Sequence, residues 1–116
     1  MAGPRIEAYQ FGSITVDGQK YREDLILFPG GVQSSWWRKK GHSLASEDLK
    51  TVFEAEPELL IIGTGNIGRM KIPDPVKEEI EGRNIELFTA PTGEAVEKYN
   101  AEREKRKVVG AFHLTC

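Results

Sequence analysis

Three stretches of this chain carry residues whose types and spacing could do chemistry. The first is Gly63-Thr64-Gly65-Asn66-Ile67-Gly68, a G-x-G-x-x-G match that follows the apolar run Leu59 to Ile62. Glycines after a buried strand can let the backbone close on a pyrophosphate, and Glu86 lies at about the offset of the acid that would hold a ribose. In a working fingerprint the helix opens inside the glycine turn, so that its amides meet the phosphate. Here Pro73 and Pro75 bracket a helix start at Asp74, about nine residues beyond Gly65. The chain is also short for the two mononucleotide halves a dinucleotide needs, so no cofactor is expected. A smaller role survives. Gly63, Thr64, Gly65 and Asn66, with Arg69 and Lys71 beside them, could receive an anion in a backbone nest at the carboxyl end of the strand. The reading favoured over it is that the glycines only let the chain turn sharply.

The second stretch is Trp36-Trp37-Arg38-Lys39-Lys40. Aromatic faces interleaved with cations can stack bases and grip phosphates. A net charge of −2, a pI of about 5.7 and the lack of a second basic cluster argue against nucleic acid as the partner. The expectation is instead that one tryptophan anchors its loop on the core and the other lies at an oligomer contact. The third set is His42, His113 and Cys116, too few for a structural zinc site, so no metal is expected. His113 and Cys116 are three apart on an expected strand and would face opposite ways. A Cys-His nucleophilic pair is therefore geometrically poor unless the tail bends away. No serine sits in a G-x-S-x-G elbow, and Glu78, Glu79 and Glu81 read as a solvated helix face. No catalytic residue emerges.

Behind these residues stand the elements that must position them. A chain of 116 residues is one domain, taken as 1–116, and can bury a core without staples. Short strands are expected over Ile6 to Phe11, Ser13 to Val16 and Asp24 to Phe28, with a tight turn at Asp17-Gly18. Gly31 to Ala45 reads as a long irregular loop, the kind that is more often functional than a plain connector. Ser46, Asp74 and Thr92 are expected to cap three helices, the second with Pro75 at its first position. Leu59 to Ile62, Asn84 to Phe88 and Val108 to Leu114 are expected strands, the last of undetermined direction. The alternation predicts an α/β fold in three layers: a mixed, largely parallel central sheet flanked by helices, with an N-terminal β-hairpin region. The opening residues lack a signal core, no run suffices to span a bilayer, and the single cysteine is terminal, so a soluble cytoplasmic protein is expected.

Phe28-Pro29-Gly30-Gly31, the tryptophans and His42 that follow, Gly63-Thr64-Gly65, Tyr99-Asn100 and the closing His113-Leu114-Thr115-Cys116 together resemble one family over about Ile6 to Cys116. It is the Mth-nine-three-eight-like family, whose function is uncharacterised and whose relatives include a mitochondrial complex I assembly factor. The resemblance implies a three-layer α/β fold with a mixed sheet and an added β region. It brings no catalytic residue.

The expected function is a non-enzymatic interaction or assembly domain that forms a homo-oligomer, with room for another protein partner and none for a membrane. The tryptophan loop, and the final strand with it, would lie at the contacts. The alternative is a small-molecule or anion binder, conceivably an enzyme, that uses Gly63, Thr64, Gly65, Asn66 and Arg69 with Trp37, Arg38 or Asn100. Convergence of those side chains on one pocket would favour the alternative, and their dispersal would count against it.

Overall fold

Alternation of side chains decides the architecture, because along the central strands both the odd and the even residues are apolar. The computed structural model describes residues 2–116. In chain order it has strands β1 (Ile6–Gln10), β2 (Ser13–Val16), β3 (Gln19–Tyr21), β4 (Leu25–Phe28) and β5 (Gly31–Gln33). A 3₁₀ turn, Ser46–Leu49, then leads into helix α1 (Lys50–Ala55) and strand β6 (Leu59–Thr64). Helix α2 (Asp74–Gly82), strand β7 (Glu86–Ala90), helix α3 (Thr92–Glu102) and strand β8 (Val108–His113) complete it.

Strands β1, β2 and β3 form a small antiparallel sheet, and the other five form a second sheet ordered β5-β4-β8-β6-β7. Strand β6 is parallel to both β7 and β8, while β4 is antiparallel to β8 and to β5. The mixed sheet is present, with the parallel pairings in one half and the antiparallel ones in the other. The final strand is an interior one, bonded on both sides and buried along its whole length. It therefore offers no free edge to a contact.

Leu25, Leu27, Leu59, Ile61 and Phe112 face one way, onto Ala95 and Tyr99 of α3 and onto Ile6, Ile14 and Val16 of the small sheet. Ile26, Leu60, Ile62, Val109 and Ala111 face the other, onto Trp36, Leu49, Val52, Val76 and Ile80. Burying such a side chain contributes roughly 1.5–3 kcal/mol, so both faces must be covered and three layers result. From β6 the chain crosses through α2 to β7, then returns through α3 past β6 to β8. Right-handed crossovers in opposite directions put their helices on opposite faces, which is where α2 and α3 lie. The carboxyl ends of β6, β7 and β8 therefore share one edge with the amino end of β4.

Local signals differ from expectation at the helix starts. Ser46, Asp74 and Thr92 are the first residues of their turns, and the capping positions belong to Ala45, Pro73 and Pro91. The Asp48 carboxylate accepts the Ala45 N–H at 2.9 Å in place of a serine cap. Extended prolines set the entries of the two longer helices, which frees the Thr92 hydroxyl for another use. Gly31 to Gln33, read as loop from the sequence, pair with Phe28 to Ile26 as a hairpin closed by Pro29-Gly30. No helix among the described residues is long and apolar enough to cross a membrane.

Candidate functional site at the carboxyl edge of the sheet

Strand β6 ends where the chain must leave the sheet, and the glycines do that work. Gly65 has φ +110° and Gly68 φ +74°, values that side chains other than hydrogen rarely adopt. Four amides of the bend are already taken. Gly65 donates to Thr92 Oγ1 (2.9 Å), Asn66 to the Thr115 carbonyl (2.6 Å), Gly68 to the Gly65 carbonyl (3.2 Å) and Arg69 to the Cys116 carbonyl (3.0 Å). Thr92, wholly buried, passes its own hydroxyl hydrogen to the His113 carbonyl at 2.6 Å. At Gly63 a Cβ would lie 2.8 Å from that hydroxyl, so glycine is what lets the threonine in. Thr64 turns its hydroxyl to the Ala90 carbonyl at 3.1 Å. The concavity that could have received an anion receives the chain's own tail.

On the other side of β8 lies the tryptophan loop. Ser35, at φ +61°, turns the chain so that Trp36 enters the core at 3% exposure and its indole N–H reaches the Asp48 carbonyl at 2.9 Å. Arg38 is also buried, 8% exposed, with its guanidinium 4.7 Å above the Trp36 ring. Trp37 between them is 77% exposed. A hollow of about 520 Å³ opens beside it, with Glu23, Ser35, Lys39 and Gly41 among its walls and the Asp24–Arg38 pair at its base.

That pair is part of a larger buried cluster. Arg38 Nη2 donates to Asp24 Oδ2 (2.6 Å) and to the Gly41 carbonyl (3.1 Å), which uses both of its hydrogens. It also lies 3.0 Å from His113 Nδ1, which is itself 2.7 Å from Asp24 Oδ2. With no hydrogen left on Nη2 for it, Nδ1 must carry its own and give it to Asp24, which in a neutral ring leaves the lone pair on Nε2. Asp24 Oδ1 accepts the Leu114 N–H at 2.8 Å. Burial works to raise the Asp24 carboxyl, but the bonds from His113, Leu114 and Arg38 outweigh it and hold the group below its usual value. Two nitrogens of the cluster, Arg38 Nη1 and His113 Nε2, are buried with no protein partner. Unmatched buried groups are uncommon, and of the three such side-chain nitrogens among the described residues two occur in this place, Arg106 Nε being the third. The His42 ring meets that of His113 edge-on, 5.7 Å between centroids.

The residues singled out from the sequence thus fall into three groups. Gly63, Thr64, Gly65, Asn66 and Arg69 form the bend, Trp37 and Arg38 belong to the neighbouring hollow, and Asn100 is elsewhere. The Asn100 amide closes a two-point bond with the Ile6 backbone, accepting its N–H (3.0 Å) and donating to its carbonyl (2.7 Å). It sits eight residues along α3 from Thr92, about 12 Å at helical rise, and fastens β1 to that helix. Asp24, and His113 as its partner, were not found by sequence reasoning. They are 89 residues apart, and only the antiparallel register of β4 and β8, Leu25 opposite Phe112, makes them neighbours. The available signal was a charged or titratable side chain at the end of each of two apolar runs.

A family model described as a protein of unknown function, DUF498/DUF598, matches residues 6–113. Among solved structures, a conserved hypothetical protein, PH1505 from Pyrococcus horikoshii, is 25% identical with a TM-score of 0.84, over 97% of this chain and 99% of that one. The protein titled MT938 is 30% identical with a TM-score of 0.78, over 97% and 99%. A protein titled an outer membrane protein of Bartonella henselae is 25% identical with a TM-score of 0.84, over 99% and 98%. The likeness to MT938 agrees with the Mth-nine-three-eight-like resemblance read from the sequence.

Proposed function

Since the chain belongs to the DUF498/DUF598 family, to which no function is assigned, its role has to be argued from its own surface, and we propose that it is a non-catalytic interaction domain that associates with a second copy of itself through the tryptophan loop. One observation carries this reading. Trp37 is 77% exposed between two residues that are 3% and 8% exposed. An aromatic side chain held out by buried neighbours loses little freedom on docking, which is what an interface anchor requires.

The choice of a second copy rests on the adjacency of knob and hole. Trp37 borders the hollow of about 520 Å³, and the rim carries Glu23 and Lys39, of opposite sign. A two-fold axis makes one patch its own complement. Trp37 of each copy fills the hollow of the other while Lys39 meets Glu23. The present Lys39–Glu47 contact, 3.4 Å and exposed on both sides, is of the kind worth little and easily exchanged. The alternative of an anion at the glycine bend is supported less well, because the amides of Gly65, Asn66, Gly68 and Arg69 already have acceptors.

Sedimentation velocity over the micromolar range tests the proposal. Dimers that grow with concentration are expected, and Trp37→Ala should abolish them while changing folding stability by no more than about 0.5 kcal/mol. Glu23→Lys and Lys39→Glu should each weaken association, and the two together should restore it. A wild-type monomer at every concentration, or a dimer indifferent to Trp37→Ala, would overturn the reading.

A further inference from the structure

Strands β6 and β7 are adjacent and parallel, but the chain leaves them in opposite senses. Beyond Thr64 it turns toward α2, whose Val76 and Ile80 pack on one face of the sheet. Beyond Ala90 it turns toward α3, whose Ala95 and Tyr99 pack on the other. Loops that part in this way leave an opening between the carboxyl ends of the two strands, the place where open α/β sheets take their ligands. A hollow of about 390 Å³ lies there. Thr64 and Thr89 border it from the strands, Ile67 and Ile72 from the loop after β6, Lys77 from α2 and Pro91 from the entry to α3. Sites for small molecules start at roughly 300 Å³, so the volume suffices for one. It is not the concavity that the tail fills. The tail follows β8, on the opposite side of β6, and none of its residues borders this hollow.

The chemistry of the walls narrows what fits. Lys77 is the one ionic side chain on them, no acid borders the hollow, and among the described residues Lys77 enters no ion pair. Thr89 is exposed on the outermost strand of the sheet, and of the consecutive amides from Gly65 to Arg69 that of Ile67 alone has no acceptor among the described residues. Ile67 is also one of three large apolar side chains left exposed among those residues, at 60%, and a ligand lying on it would cover surface that water now wets. We propose that this crevice binds a small organic carboxylate. The charged end sits on Lys77, with the Thr89 hydroxyl and the Ile67 amide as further donors, and a short apolar body lies against Ile67, Ile72 and Pro91. A single ammonium matches a single negative charge, whereas a phosphate is more often gripped by a guanidinium fork, and no arginine borders the hollow. The site goes beyond the self-association read from Trp37, since the hollow beside Trp37 shares no residue with it.

Isovalerate, a short branched carboxylate, is the probe, titrated into isotope-labelled protein and followed through the backbone amide resonances. Its uncharged counterpart isovaleramide and inorganic phosphate are titrated in parallel. Saturable shifts at Ile67, Gly68 and Thr89 are expected with a Kd of about 1 mM or tighter, and isovaleramide should bind at least ~10-fold more weakly. Lys77→Ala, at an exposed position of α2, should weaken isovalerate by a similar factor, and Lys77→Arg, which keeps the charge, should restore most of the affinity. Trp37→Ala should leave the Kd unchanged, which separates this site from the contact between copies. No saturable shift at those amides, isovaleramide binding as tightly as isovalerate, or a Kd indifferent to Lys77→Ala would each overturn the proposal. Phosphate binding more tightly than isovalerate would overturn the carboxylate as the class of ligand.

Discussion

In the glycine bend the amides of Gly65, Asn66, Gly68 and Arg69 end on oxygens of the chain itself, whereas in the adjoining loop Trp37 is left 77% exposed above a buried ion pair. The two regions lie side by side at one edge of the sheet, separated by β8 and its tail. The bend has the familiar motif, and four of its amides are taken by the chain itself. The loop has no motif, yet it exposes an aromatic ring and buries a charge. A glycine pattern states where a backbone can turn, and what then fills the concavity depends on the rest of the chain. Exposed anchors and unmatched buried nitrogens point more directly to a surface that does something.

The contrast breaks most sharply on the loop side. Arg38→Ala would take the cation from Asp24, whose side chain is 16% exposed and keeps its bonds from His113 and Leu114, so the cost is expected to approach, from below, the roughly 3–5 kcal/mol of a fully buried pair. Urea unfolding of the variant should show that loss. A cost below about 1 kcal/mol, the scale of an exposed ion pair, would mean that Trp36 alone holds the loop and that the cluster is incidental to presenting Trp37.

On the bend side the expected effect is smaller. Gly65→Ala places a side chain at φ +110° and sets its Cβ against the Cys116 backbone and the His113 ring, a strain of about 1–3 kcal/mol. Gly41 is the matching control in the tryptophan loop, because nothing lies within 4 Å of the Cβ it would gain. Gly41→Ala should be close to neutral in the same unfolding experiment. Equal costs at the two glycines would erase the distinction between a region packed on its own tail and one open to solvent.

Much of the fold was legible because apolar periodicity is local. Leu59 to Ile62 read as a strand buried on both faces, and such a run permits little else. Helices α2 and α3 followed from their proline and acidic starts, although the capping residue was misplaced by one. The short hairpin at Gly31 escaped because three residues carry no period. The site was less legible, and for a physical reason. The roles expected of the two tryptophans could be stated without saying which would be buried, since Trp36 and Trp37 are chemically identical neighbours and only Ser35 at φ +61° decides. Asp24 and His113 meet through sheet register. The Cys116 backbone reaches Gly65 only because the tail bends after His113, and no residue in Leu114-Thr115-Cys116 announces that bend.

The finest test asks whether the two anchorages of the tail are of different kinds. Leu114 is tied to the Asp24 carboxylate, while Thr115 and Cys116 are tied to backbone amides. Asp24 has its pKa lowered in the folded protein from an ordinary value of 3.8. Its charged form therefore adds stability that is complete above that value and is lost as the pH falls through the lower, folded one. The effect is smaller than that of Arg38→Ala, because a protonated carboxyl keeps its place and can still accept the Leu114 N–H. Amide hydrogen exchange, expressed as protection factors to remove the intrinsic pH dependence, should show Leu114 losing protection as the pH is lowered below about 4. Asn66 and Arg69, whose amides donate to the Thr115 and Cys116 carbonyls, should hold theirs over the same range, since backbone bonds do not titrate. Parallel loss at all three amides would show that the tail opens as one piece and that the bend depends on the charge cluster next to it.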